Sequence, residues 1–259
     1  MIKTIMITGA TSGFGRAIAA LFAKNGFALI ITGRRAERLA ALKDELEGLY
    51  GIKVIVLAFD VRDKQSVGAA FTELKGKVER IDILVNNAGL ASGLSPIDEG
   101  EIADWDVMID TNVKGLLYVT RKALDFMKQQ GAGHIFNVGS TAGKMAYKNG
   151  NVYCATKFAV DALTQSMRID LLPYNIKVTA INPGMAETEF SIVRFKGDTE
   201  RAKKVYEGFQ ALKAEDIADV VYYCATLPPH VCINDLTITA TNQANAVFSI
   251  KDEQKVNLS

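Results

Sequence analysis

Apolar residues cluster in seven short runs, at 4–8, 27–32, 53–59, 81–85, 134–139, 176–181 and 236–240, each read as a strand. Between them lie stretches of helical length, at 16–25, 35–48, 63–75, 104–130, 151–172 and 214–227. The first of these is amphipathic and is closed by Gly26. Within 104–130, Asn112 and Gly115 both lower helix stability, so a local kink or water site is expected there. Strands that alternate with helices predict an α/β fold, a doubly wound parallel sheet of seven strands with helices on both faces.

Composition narrows the picture. The chain has 259 residues, 49% of them hydrophobic, enough to bury one core without disulfides or metals. No Pro/Gly/Ser-rich linker divides it. The expectation is a single domain over 1–259, with 185–212 as a substrate lid and 241–259 as a C-terminal tail. The net charge is +1 with acids and bases interspersed, so neither nucleic acid nor a membrane surface is an expected partner. No apolar run is long enough to span a bilayer, and the start runs straight into a strand. Cys154, Cys224 and Cys232 are odd in number and lack C-x-x-C spacing. That argues for a reducing, cytoplasmic compartment and against a disulfide framework or metal site.

Ligands of such sheets bind at the carboxyl ends of the strands. The first strand runs into Thr8-Gly9-Ala10-Thr11-Ser12-Gly13-Phe14-Gly15, a glycine-rich turn that lets backbone approach a phosphate at a helix start. After the second strand, where an acid would bind the ribose hydroxyls of NAD, stand Gly33-Arg34-Arg35. Two guanidiniums suit a dianionic 2′-phosphate, and cations at a helix start otherwise oppose its dipole, so the cofactor inferred is NADP. Asp60-Val61 follows the third strand, where the carboxylate either meets an adenine amine or caps a helix. Asn86-Asn87-Ala88-Gly89 follows the fourth and permits close approach to a ribose or ring. Pro183-Gly184 follows the sixth.

The candidate chemistry lies between 140 and 157. Tyr153 and Lys157 stand four apart and share one face of a helix, with Ser140 thirteen residues earlier at a strand end. A cation held near a phenol lowers its pKa, so the pair reads as a device for moving a proton near neutral pH, with Ser140 on the same substrate oxygen. Tyr118 and Lys122 have the same spacing, but Trp105, not a serine, stands thirteen residues before Tyr118.

Taken together, Thr8-Gly9-x-x-x-Gly13-x-Gly15, Asn86-Asn87-Ala88-Gly89, Asn112, Ser140, Tyr153-x-x-x-Lys157 and Pro183-Gly184 resemble the short-chain dehydrogenase/reductase family. The resemblance implies a Rossmann fold with Tyr153 as acid/base, Ser140 holding the substrate oxygen, Lys157 binding the nicotinamide ribose and Asn112 holding a relay water. It extends cofactor contacts over Gly9, Thr11, Ser12, Gly13, Phe14, Gly15, Arg34, Arg35, Asp60, Val61, Asn87, Ala88, Gly89, Tyr153, Lys157, Pro183, Gly184 and Thr188. A narrower set, including Asp104-Trp105, Gly150-Asn151-Val152-Tyr153, the run 187–198 and Asn242-Gln243-Ala244, is similar to NADP-dependent 3-hydroxy acid dehydrogenases. The run 184–189 is also similar to sulfoacetaldehyde reductases of the same branch.

The resemblance implies a small anionic substrate and a homotetramer. For the anion, Arg194 in the lid is the leading candidate and Lys144 the second. The alternative for Arg194 is an ion pair with Glu187 or Glu189 that only shapes the lid. A stripe of small residues, Ala155, Ala159, Ala162 and Ser166, suits a second copy's helix or, alternatively, the chain's own sheet. A non-catalytic cofactor-binding regulator on the same fold is the rival of another class.

Overall fold

A computed structural model describes residues 2–252. Seven strands form one parallel sheet: β1 (Thr4–Ile7), β2 (Ala28–Gly33), β3 (Val54–Ala58), β4 (Ile83–Asn86), β5 (Gly133–Val138), β6 (Ile176–Pro183) and β7 (Asp235–Ile238). The order across the sheet is β3-β2-β1-β4-β5-β6-β7. The chain winds outward from β1 to β3, then returns to place β4 on the other side of β1, so the strand order reverses between β1 and β4. The crevice at their carboxyl ends is where such sheets hold ligands.

Helices cover both faces. On one side lie α1 (Gly13–Lys24), α2 (Ala36–Tyr50) and α9 (Ala214–Thr226), packed on Ile5, Ile7, Leu29 and Ile31. On the other lie α3 (Lys64–Lys75), α5 (Leu116–Gln130) and α6 (Asn151–Leu171), packed on Met6, Ile30, Leu84 and Ile135. Neighbouring residues of one strand thus enter opposite cores, which is why the strands read as continuous apolar runs. Phe22 and Phe71 are fully or almost fully buried, one in each core, and burying a side chain of that size contributes about 1.5–3 kcal/mol.

The long helix expected over 104–130 is three pieces. α4 (Ile102–Ile109) leads into a π-helical turn (Asp110–Gly115), which leads into α5. The expected irregularity at Asn112 and Gly115 is this turn. Gly115 presses on Val61, and a Cβ there would stand 2.7 Å from the valine's Cγ2.

Segment 185–212 carries two short helices, α7 (Phe190–Arg194) and α8 (Thr199–Lys204). Its base is closed by the amides of Glu187, bonded to Leu212 at 2.9 Å, and of Leu212, bonded to Met185 at 3.0 Å. The expected tail folds back over its described part. Gln243 bridges to Ser249, and the Asp252 amide bonds the Gly208 carbonyl at 2.8 Å. The rest of that tail lies outside the described residues. Among them, no helix is long and apolar enough to cross a membrane.

Candidate active site

The first turn beyond β1 is shaped by conformations that favour glycine. Gly9 and Gly13 have φ of +66° and +50°, and a Cβ on Gly15 would collide with the Gly9 carbonyl and the Asn87 side chain. β4 is stitched to this turn. Thr8 Oγ1 accepts from the amides of Asn87 (3.0 Å) and Ala88 (2.9 Å), and Asn87 Nδ2 donates to the carbonyls of Thr8 (2.8 Å) and Gly9 (3.2 Å). Asn87 therefore holds the turn as well as facing the cavity. Ser12 stands at the N-cap of α1 but makes no side-chain cap bond, so the first amides of α1 are left for another acceptor.

Arg34 and Arg35 diverge in role. Arg35 donates to Thr11 Oγ1 from Nε (3.1 Å) and NH2 (2.7 Å), to Ser12 Oγ from NH2 (3.0 Å), and to Glu189 Oε2 from NH1 (3.0 Å). Arg34 lines the cavity with no hydrogen bond to the described residues. Asp60 does not cap α3; Asp63 does, accepting from the Gln65 amide. Asp60 instead grips Arg62. Burial acts to raise its carboxyl, but Arg62's bonds and charge, with Arg34's charge, hold it below the ordinary range.

At the other end of the cavity, Ser140 follows β5 in extended backbone and caps a short 3₁₀ turn, accepting from the Ala142 amide at 3.1 Å. Its hydroxyl also donates to the Pro183 carbonyl at 3.5 Å. Tyr153 and Lys157 occupy the first two turns of α6 and are 8% and 6% exposed. Lys157 Nζ donates to the Val138 carbonyl at 2.9 Å and lies 5.9 Å from the Tyr153 ring centroid.

Burial lowers the Lys157 ammonium to about 8. The expectation that Lys157 lowers the Tyr153 pKa is not met. Burial, then the Tyr147 phenol, push Tyr153 above its ordinary value against the pull of Ser140 and Arg194. Asn112, in the π turn, spends its side chain on the Leu90 backbone (2.9 and 2.8 Å) and Thr156 Oγ1 (3.0 Å).

From segment 185–212, Arg194 reaches over the two tyrosines. Its guanidinium carbon is 5.5 Å from the Tyr147 ring centroid and 5.7 Å from that of Tyr153. Nε bonds the Gly93 carbonyl at 3.3 Å, while NH2 is buried with no partner among the described residues. Among the described residues no carboxylate pairs with it; Glu189 pairs with Arg35 and Arg38 instead. Lys144 is corrected as an anion site, because its ammonium is tied at 2.7 Å to both Asp161 and Asp235.

One cavity of roughly 530 Å³ joins the two ends. It is lined by every site residue read from the sequence except Lys144, Gly15, which packs under the turn, and Asn112, which sits behind Gly89. It is also lined by residues to which the sequence reading gave no role. Tyr147 faces the Arg194 guanidinium, and the Phe190 ring centroid lies 5.6 Å from that of Tyr153. Gln243 Oε1 accepts from the Met185 amide at 2.8 Å. The run Asn242-Gln243-Ala244 was the available signal for Gln243. The run 187–198 was the signal for Phe190, and Tyr147 had none beyond being an aromatic near Tyr153.

The model of the short chain dehydrogenase family matches residues 3–199. The chain is 48% identical over 247 residues to an NADP-dependent 3-hydroxy acid dehydrogenase of Salmonella typhi, covering 95% of this chain and 98% of that one. It is 45% identical over 251 residues to sulfoacetaldehyde reductase 2 of Chromohalobacter salexigens, covering 96% and 99%. Among solved structures, the closed form of a serine dehydrogenase complexed with NADP⁺ superposes with a TM-score of 0.90 at 44% identity, covering 95% of this chain and 98% of that one. With this sheet order, and with Ser140, Tyr153 and Lys157 gathered in one cavity with the glycine turn, the chain belongs to the short-chain dehydrogenase family.

Proposed function

We propose that this chain is an NADP-dependent oxidoreductase that interconverts a small 3-hydroxy acid with its carbonyl form, in the serine, L-allo-threonine and malonic semialdehyde class. The observation that carries the reading is the single cavity, with an arginine-lined phosphate end and a Ser140–Tyr153–Lys157 end. The residues fit the cofactor. Gly9, Gly13 and Gly15 form a cradle that side chains would fill, and Arg34 offers a guanidinium with no hydrogen bond to the described residues. Bound NADP supplies or accepts the hydride.

The chain's own groups handle the proton and the orientation. In reduction, Ser140 Oγ holds the carbonyl oxygen, and Tyr153 Oη, kept neutral by its burial, gives it a proton. Lys157 is fixed on Val138 and would hold the nicotinamide ribose of the bound cofactor. With its side chain spent on Leu90 and Thr156, Asn112 would hold a relay water through the backbone of the π turn. The buried NH2 of Arg194 beside Tyr153 supports an anionic group on the substrate, since that donor needs an acceptor. The second reading, a sulfoacetaldehyde reductase, draws on the same donor, because a guanidinium fork takes a sulfonate as well as a carboxylate.

The small-residue stripe supports a homotetramer. Ala155, Ala162 and Ser166 are exposed and Ala159 is half-buried, so the stripe does not pack on the chain's own sheet. Phe158 and Ile169 are exposed on the same helix. The deciding experiment is a panel of malonic semialdehyde, sulfoacetaldehyde, serine, allo-threonine, 3-hydroxybutyrate and neutral alcohols with NADPH or NADP⁺. The highest kcat/KM should fall on an anion; neutral alcohols ahead of every acid would leave only a general carbonyl reductase.

A further inference from the structure

The carboxylate on the arginine cluster comes from the far side of the cavity. Glu189, just before α7, places Oε2 3.0 Å from Arg35 NH1 and Oε1 2.9 Å from Arg38 NH1. It thereby joins two points 154 residues apart in sequence, the start of α2 and the segment over the site. Burial acts to raise its carboxyl, but the bonds from both arginines hold it below the ordinary value, so it is charged at neutral pH. A negative group at the start of α2 is also favoured by that helix's dipole.

The orientation of Arg35 gives this contact a meaning. Its Nε and NH2 face Thr11 and Ser12 of the glycine turn, which leaves NH1 as the nitrogen bonded to Glu189. Arg34 has no hydrogen bond to the described residues. A phosphate that engages Arg34 and Arg35 together therefore shares NH1 of Arg35 with Glu189, whose negative charge opposes it. Arg38 holds the other oxygen of the same carboxylate at 2.9 Å, which keeps that charge beside Arg35.

Resting on the NADP reading above, we propose that Glu189 is an intramolecular competitor for the 2′-phosphate. As a specificity-determining residue, it limits how tightly NADP is held and does not oppose cofactors that carry only ribose hydroxyls. Because both partners are half-exposed, the competition is modest, worth about a two- to tenfold change in affinity.

The test is Glu189→Gln, with Kd measured for NADPH and NADH by fluorescence and for 2′,5′-ADP and 5′-AMP by calorimetry. The variant should bind NADPH and 2′,5′-ADP about two- to tenfold more tightly, with NADH and 5′-AMP unchanged. In an Arg35→Gln background the gain should vanish. Unchanged or weaker NADPH binding in Glu189→Gln overturns the proposal, as does equal tightening of all four ligands. If the wild type itself binds 2′,5′-ADP no better than 5′-AMP, the NADP reading fails first and this inference falls with it.

Discussion

Lys157 Nζ donates to the carbonyl of Val138 at 2.9 Å, the residue that ends β5, rather than to the phenol of Tyr153 one turn earlier on its own helix. The bond spans nineteen residues and pins α6 to the strand that delivers Ser140. It fixes the serine, the tyrosine and the lysine as one body. It also buries an ammonium, which burial lowers to about 8.

Removing that ammonium should trade activity for stability. Lys157 has a folded pKa below its unfolded value, so the unfolded chain binds the extra proton between about pH 8 and 10.5, and stability rises with pH across that window. Below it the cost is fully present, a few kcal/mol at ~1.4 per unit, offset in part by the Val138 bond. Lys157→Met should therefore lose turnover yet match or exceed the wild-type Tm at pH 7. Melting curves should show the difference shrinking toward pH 10. A gap that widens with pH contradicts the burial account.

Tyr153→Phe should lower kcat about 10²–10⁴-fold while cofactor affinity stays near wild type, because the phenyl ring keeps its packing and only the proton is lost. Stopped-flow turnover with fluorescence binding checks both halves. Near-normal kcat removes Tyr153 from the chemistry.

Arg34→Glu should weaken NADPH about tenfold or more and NADH far less. A charge-assisted bond to a phosphate is worth about 1.5–3 kcal/mol and a ribose hydroxyl does not need it. The ratio of the two KM values is the readout.

Arg194→Ala should raise KM for carboxylate or sulfonate substrates about tenfold and leave small neutral carbonyls nearly unaffected, since the lost donor is the one buried without a partner. An equal rise for both classes would mean that Arg194 only shapes the segment around Gly93 and Tyr147.

Ala162→Glu, in the exposed stripe of α6, should lower the mass seen by light scattering at micromolar protein, because a charge placed where helices meet closely is not tolerated. An unchanged mass places the contact elsewhere.

Much of this site was legible because its parts sit at strand ends, where a short apolar run announces the position and the next residues are the ligands. Gly9, Arg34, Asp60, Asn87, Ser140 and Gly184 all follow that rule. What escaped depended on direction or on distant partners. Lys144 is one residue past the 3₁₀ turn that follows Ser140, close in sequence to the chemistry, yet it turns toward Asp161 and Asp235. Glu189 is a partner for Arg194 on the sequence alone, but it meets arginines 154 and 151 residues away. The Tyr153 pKa could not be read from spacing, because spacing says which groups are near and not how much water is excluded around them.

The π turn at Asp110–Gly115 holds one residue more than an α-helical turn would, and that surplus fixes the phase of everything before it. Each helical residue advances the chain by about 100° and 1.5 Å. Deleting one residue here would let α4 and α5 fuse into a continuous helix, and Met108 would swing about a quarter-turn away from Tyr153 and Cys154, against which it packs. Adding one would overshoot by the same angle. This stretch can therefore change its letters far more readily than its length.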